Sequence, residues 1–324
     1  MFVEGPTSLS EYKSNTWDMR IYIFGDWHEK KKKCPDVKKD INIMSIEKFL
    51  ESTFTLNKEI TIDFYLEEQF ISKLFSRSEF TVGAVLGRRE DRSNYLEDTS
   101  KYFDNCFQLI KSSCPYKNTR FHYIDIRFIP KSVLIYTFLL TADIINFNKN
   151  IERKEFVEEL LPSIKNDMKL LYDKINEVSL SEIFQQTKVI KQFQNIQESY
   201  RPYVENYWTK VCLAYYNELK ENIKHMLLYD GIKEKYDHNL LTVFPGLVMD
   251  AYTMGRVFRS FSNQGKTEQE KNVILYAGEW HKTNYENFLN YLHFNLIASS
   301  QSFNQGVDFQ CLDVSRFHVP FFHT

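Results

Sequence analysis

The chain has 324 residues, 43% hydrophobic and 26% charged, with a formal net charge of −2, enough for one large domain or two ordinary ones around a sizeable core. The near-neutral balance argues against nucleic acid or an anionic membrane face as the main partner. The 27 Phe and 20 Tyr argue against disorder.

Residues 19–28, "MRIYIFGDWH", read as a short buried strand that runs into a loop at Gly25. "SIEKFLESTF" (45–54) has apolar residues at helical spacing behind a capping Ser45. "EITIDFYLEEQF" (59–70) is a second strand ending in Glu67 and Glu68; residues 94–113 are helical; "TRFHYIDIRF" (119–128) is a third strand with Asp125 and Arg127 on one face near its end. From 131 to 244 only amphipathic helices are expected. "SVLIYTFLLTADII" (132–145) is too short to span a bilayer and reads as a buried helix. "FPGLVMDAYTMGRVFRSF" (244–261) adds a helix, "KNVILYAGEWH" (271–281) a strand and "NYENFLNYLHF" (284–294) a helix, while the last 30 residues carry no assignment. The expected fold is α/β: a mainly parallel sheet flanked by helices, with 1–130 and 245–324 forming the core and 131–244 inserted as a helical cap.

Two phrases stand out: "GDWH" at 25–28 and "GEWH" at 278–281, each at the end of a strand. Composition alone makes such a tetrapeptide an event on the order of 4 in 10,000 per chain, so two copies point to one shared site. The bland alternative has each Trp anchoring a loop and each His serving as a structural donor. Sites in open parallel sheets form beyond the carboxyl ends of the strands, where His28, Glu67 and His281 would converge. Two imidazoles and a carboxylate can hold a divalent ion and activate water, or work without metal as an oriented general base. Alternation lets only one of the two glutamates face the imidazoles, and Glu67 is preferred.

Other features have plainer readings. Arg256 and Arg259 lie three apart on one helical face, suited to a substrate anion or a surface ion pair. Asp125 and Arg127 pair with each other more readily than they catalyse. Lys30 to Lys33 form a solvated loop. Asp237, His238 and His225 are structural. The five scattered cysteines (Cys34, Cys106, Cys114, Cys212 and Cys311) have no CxxC or zinc-finger spacing and read as reduced thiols. With no signal-like start, they favour a cytoplasmic setting. The aromatic tail "RFHVPFFHT" docks on its own core, with a partner's sheet edge as the alternative.

The pair of GxxH phrases resembles the superfamily of TIKI, TraB and GumN proteins together with the erythromycin-esterase-like and ChaN-like proteins. Members share two such phrases, a Glu after the second strand and an Arg on the helix before the second phrase; here these match His28, Glu67, Arg256 and His281, with Gly25 and Gly278. The resemblance implies an α/β fold with a helical insertion and hydrolase chemistry on a small-molecule or peptide substrate. A divalent ion (Mn, Co or Zn) would be held by His28, Glu67 and His281, with Arg256 on the substrate. The stretch from 248 to 289 is also similar to proteins of large DNA viruses, which would place the chain in host cytoplasm or a virion. The rival expectation is a non-catalytic structural or partner-binding protein, with Trp27 and Trp280 packed into the pocket and an exposed tail.

Overall fold

The run from Arg20 to Phe24 does not alternate because both faces of its strand are covered: Ile21, Tyr22, Ile23 and Phe24 are all fully buried, as central strands of parallel sheets require. In this computed structural model, the described residues are 1–28, 31–34, 42–69, 94–107, 113–127, 132–152, 154–228, 238–259, 271–302 and 310–322. The chain divides into two compact units, the first drawing on 1–69, 89–125 and 261–324, the second on 70–88 and 126–260.

The first unit is α/β. Its strands are β1 (Phe2–Glu4), β2 (Ser8–Ser14), β3 (Met19–Asp26), β4 (Ile43–Ser45), β5 (Ile62–Gln69), β6 (Thr119–Asp125), β7 (Lys271–Gly278), β8 (Asn295–Gln301) and β9 (Cys311–Asp313). The larger sheet has the order β6-β5-β7-β3-β2-β8. The β6-β5, β5-β7 and β7-β3 pairs are parallel, and β2 lies antiparallel to β3 and to β8. A smaller sheet, β4-β1-β9, stands beside it. The helices are α1 (Ile46–Leu56), α2 (Tyr95–Tyr102) and α3 (Asp104–Phe107), with the helix after β7 described with the site below. Ser45 caps α1 as expected, accepting from the Lys48 N–H.

One sheet face carries an aromatic core that includes Phe24, Phe49, Phe54, Phe64, Phe103 and Phe121. By alternation, Asp63, Tyr65 and Glu67 of β5 face the other way. Phe321 stacks on Tyr22 with ring centroids 3.8 Å apart, and Phe317, Phe321 and Phe322 are all buried in this core. The tail therefore docks on its own chain, and the aromatic groups that a partner-binding tail would offer are already used.

The reading of all five cysteines as reduced thiols is overturned. Cys34 pairs with Cys311 and Cys106 with Cys114, leaving Cys212 free and buried. Linear spacing could not reveal a pair 277 residues apart. Disulfides belong to oxidising compartments, so the cysteines no longer favour a cytosol-like setting.

At the start of α2, the Asn94 side chain accepts from the Glu97 N–H at 2.7 Å. Removing it in Asn94→Ala should cost about 1 kcal/mol, read as a lower urea midpoint. A midpoint equal to the wild type would show that the cap contributes nothing.

The second unit is helical: α4 (Val133–Lys149), α5 (Lys154–Glu177), α6 (Leu180–Gln186), α7 (Val189–Gln194), α8 (Arg201–Leu228) and α9 (Asn239–Phe258). The Tyr216 hydroxyl donates to the Ile175 carbonyl at 2.6 Å, tying α8 to α5. Among the described residues of this unit the extended pairing is one bridge, Ile196 to Arg259. Helix α9 begins at Asn239 and belongs to this unit, which runs to 260; the sequence reading set the division near 245. No helix among the described residues is long and apolar enough to cross a membrane.

Candidate functional site

Strands β5, β7 and β3 are consecutive in the sheet and parallel, so their carboxyl ends deliver Glu67 and both GxxH phrases to one edge. Asp26 lies opposite Gly278, and Leu66 opposite Tyr276. The second phrase is not a loop. Gly278 is the N-cap of helix α10 (Glu279–Tyr291), so His281 sits in its first turn.

Glu67 stands between the two imidazoles. Its Oε2 is 3.4 Å from His28 Nε2, and its Oε1 is 3.4 Å from His281 Nε2. The Gly278 N–H donates to Oε2 at 2.7 Å, and the positive end of α10 favours a carboxylate there. The Glu67 and His281 side chains are almost completely enclosed, whereas that of His28 is 41% exposed. A 3.4 Å separation exceeds the 2.7–2.9 Å typical of a charge-assisted hydrogen bond. The carboxylate therefore faces two ring nitrogens without a tight bond to either. A buried carboxylate aimed at two imidazoles can stabilise positive charge on them, and the exposed one can exchange a proton with water.

The two glycines explain why the phrase occurs twice. A side chain on Gly25 would collide with Glu279 Oε2 and with Ser8 Oγ, and one on Gly278 would collide with His28 Nε2. Each glycine leaves the space that a side chain of the other phrase occupies. The two acids have different surroundings. Glu279 Oε2 accepts from Ser8 Oγ at 2.6 Å and Thr7 Oγ1 at 3.3 Å. Asp26 is buried, which pushes its carboxyl above the usual range, opposed by His28 and by hydrogen bonds to it. Tyr276 donates its hydroxyl to Asp26 Oδ2 at 3.3 Å, and Gln310 donates Nε2 to Oδ1 at 3.1 Å. Ser8, Thr7, Tyr276 and Gln310 went unnoticed in the sequence; none carries a motif, and only the fold brings them to these acids.

Trp27 and Trp280 are 63% and 42% exposed, so neither is packed into the site as the non-catalytic reading expects. Trp280 meets His281 edge-on, with centroids 4.8 Å apart. Glu67 is buried and Glu68 only partly so, in line with the preference for Glu67.

Arg256 lies on α9, in the second unit, where its Nη1 donates to the Tyr252 hydroxyl at 3.0 Å. Arg259 does not share a helical face with it. The helix ends at Phe258, and Arg259 is an extended C-cap whose Nη1 donates to Gln192 Oε1 at 3.1 Å. Arg127 likewise does not share a strand face with Asp125, because β6 ends at Asp125. Lys31 pairs with Asp98 and lies over the Tyr95 ring, so it is tied down where a solvated loop was expected; Lys30 lies outside the described residues, as does Asp237. His225 and His238 sit in the last turn of α8 and at the N-cap of α9.

Two imidazoles and a carboxylate are donors that suit Zn, Mn or Co, and 3.4 Å is the edge spanned by two ligands each about 2.1 Å from a tetrahedral centre. As the side chains stand, however, no group of three or more His, Cys, Asp or Glu among the described residues is arranged to hold a metal ion. Each imidazole faces a different carboxylate oxygen.

No family model matches the chain, and no curated protein or solved structure matches it. The likeness to the two-GxxH superfamily rests on the residues alone.

Proposed function

We propose that this chain is a hydrolase of acyl compounds, with a small-molecule or peptide substrate, that activates water at His28, Glu67 and His281. The single observation that carries this reading is the buried Glu67 carboxylate set between two imidazoles, 3.4 Å from each. His28, the more exposed of the two imidazoles, faces Glu67 through Nε2 and would take the proton from water. The imidazolium so formed is stabilised by the Glu67 charge. The Gly278 N–H and the start of α10 hold that charge in place, while His281 faces the second oxygen and fixes the carboxylate plane. Arg256, which lies in the second unit, is given no role in this reading.

A divalent ion, when bound, would supply a Lewis acid that lowers the pKa of a bound water. His28, Glu67 and His281 are the residues that would hold it. Elemental analysis of the purified chain, together with a panel of ester, lactone and peptide substrates, tests both parts. His28→Ala and His281→Ala should each lower kcat by about 10²-fold, and both should lose metal if metal is present. Variants that keep the wild-type rate and metal content would overturn the reading.

A further inference from the structure

The acid of the first phrase touches the histidine it accompanies. Asp26 Oδ1 accepts from the backbone N–H of His28 at 3.3 Å, two residues on, which is the Asx-turn arrangement. His28 itself has φ +53°, a left-handed conformation uncommon outside glycine, although Asn, Asp and His adopt it more readily than other residues. From that conformation its ring reaches Glu67. Asp26 is 1% exposed; the Trp27 N–H also bonds to it, and its side-chain partners come from distant parts of the chain, Tyr276 of β7 and Gln310. Gln310 is fixed in turn, since its Oε1 accepts from the Lys32 N–H at 3.0 Å and its neighbour Cys311 is bonded to Cys34. Glu279, the matching acid of the second phrase, is instead held by Ser8 and Thr7.

We infer that Asp26 is a positioning residue: it closes the turn that keeps His28 left-handed and aims its imidazole at Glu67, and Gln310 and Tyr276 hold Asp26 for that purpose. The kinetic part of this inference rests on the hydrolase reading; the conformational part does not.

The test measures amide hydrogen exchange at His28 by NMR, alongside kcat and KM, in the full chain. Asp26→Ala should speed His28 exchange about ten-fold while buried amides of β3, such as that of Tyr22, keep their protection. The same variant should lower kcat about 100-fold with KM within about three-fold. Asp26→Asn keeps an acceptor oxygen in place and should restore exchange to within about three-fold of the wild type. His28 exchange unchanged in Asp26→Ala, or equally fast in the Ala and Asn variants, would overturn the inference. If Asp26→Ala does not fold, Asp26→Asn and Asp26→Gln decide: slow exchange in Asn and fast exchange in Gln support the role, and equal exchange removes it. A wild-type chain that hydrolyses nothing defeats the hydrolase reading, while the exchange data still decide the role of Asp26.

Discussion

Glu67→Gln is expected to lower kcat/KM by about 10³-fold with little change in melting temperature. The substitution keeps shape and one carbonyl acceptor for the Gly278 N–H, now 2.7 Å from Oε2. It removes the negative charge that faces both imidazoles and turns an NH2 donor toward one of them. An imidazolium formed during turnover would then lose the buried charge that stands between the two rings, which is why the loss should fall on kcat. A Glu67→Gln chain within ten-fold of the wild type would show that the carboxylate is only structural. A large fall in melting temperature would point the same way, since it would mean that lost folding, not lost chemistry, explains the rate.

Asp63→Ala should have the largest effect on stability, about 3–5 kcal/mol. The Asp63 side chain is 1% exposed and receives Arg120 through Nε at 2.7 Å and Nη2 at 2.6 Å, with His122 Nε2 at 2.9 Å. Burial alone would raise its pKa, but the hydrogen bonds from His122 and Arg120 and their charges outweigh it and hold the carboxyl well below the usual range. Deleting Asp63 takes this partner from the partly buried Arg120 guanidinium and from the buried His122 ring. The pH dependence follows from the sign of that shift. A depressed folded pKa means that the carboxylate stabilises fully above its unfolded value, about pH 4, and loses its contribution as pH falls toward the lower folded value. Urea midpoints measured from pH 6 down to pH 3 should therefore fall more steeply in the wild type than in Asp63→Asn. Parallel curves would remove Asp63 from the acid response.

The parts of this molecule that sequence made legible are those governed by local pattern. β3 and β7 are apolar on both faces and could be little other than central strands, and the helical middle declared itself through its period. β2 was not legible. Its sequence, "SLSEYKS", looks like surface, yet Ser8, Ser10 and Ser14 are buried, because pairing with β3 and β8 supplies what its side chains lack. β9 and the tail were equally hidden, since their burial depends on an aromatic core built elsewhere. In the candidate site the two phrases and Glu67 were found because chemistry chose unusual residues at strand ends. The Cys34–Cys311 disulfide, Gln310 and the different partners of Asp26 and Glu279 were not, since each depends on contacts between segments hundreds of residues apart.

The interlocked glycines carry a consequence for how this chain can change. Because the seat of His28 is cut into the second phrase and the seat of Glu279 into the first, neither phrase can gain a side chain at its glycine without evicting part of the other. The two tetrapeptides behave as one specification written in two places. A side chain at 25 should therefore displace the Glu279 carboxylate from Ser8, and one at 278 should displace the His28 ring from Glu67.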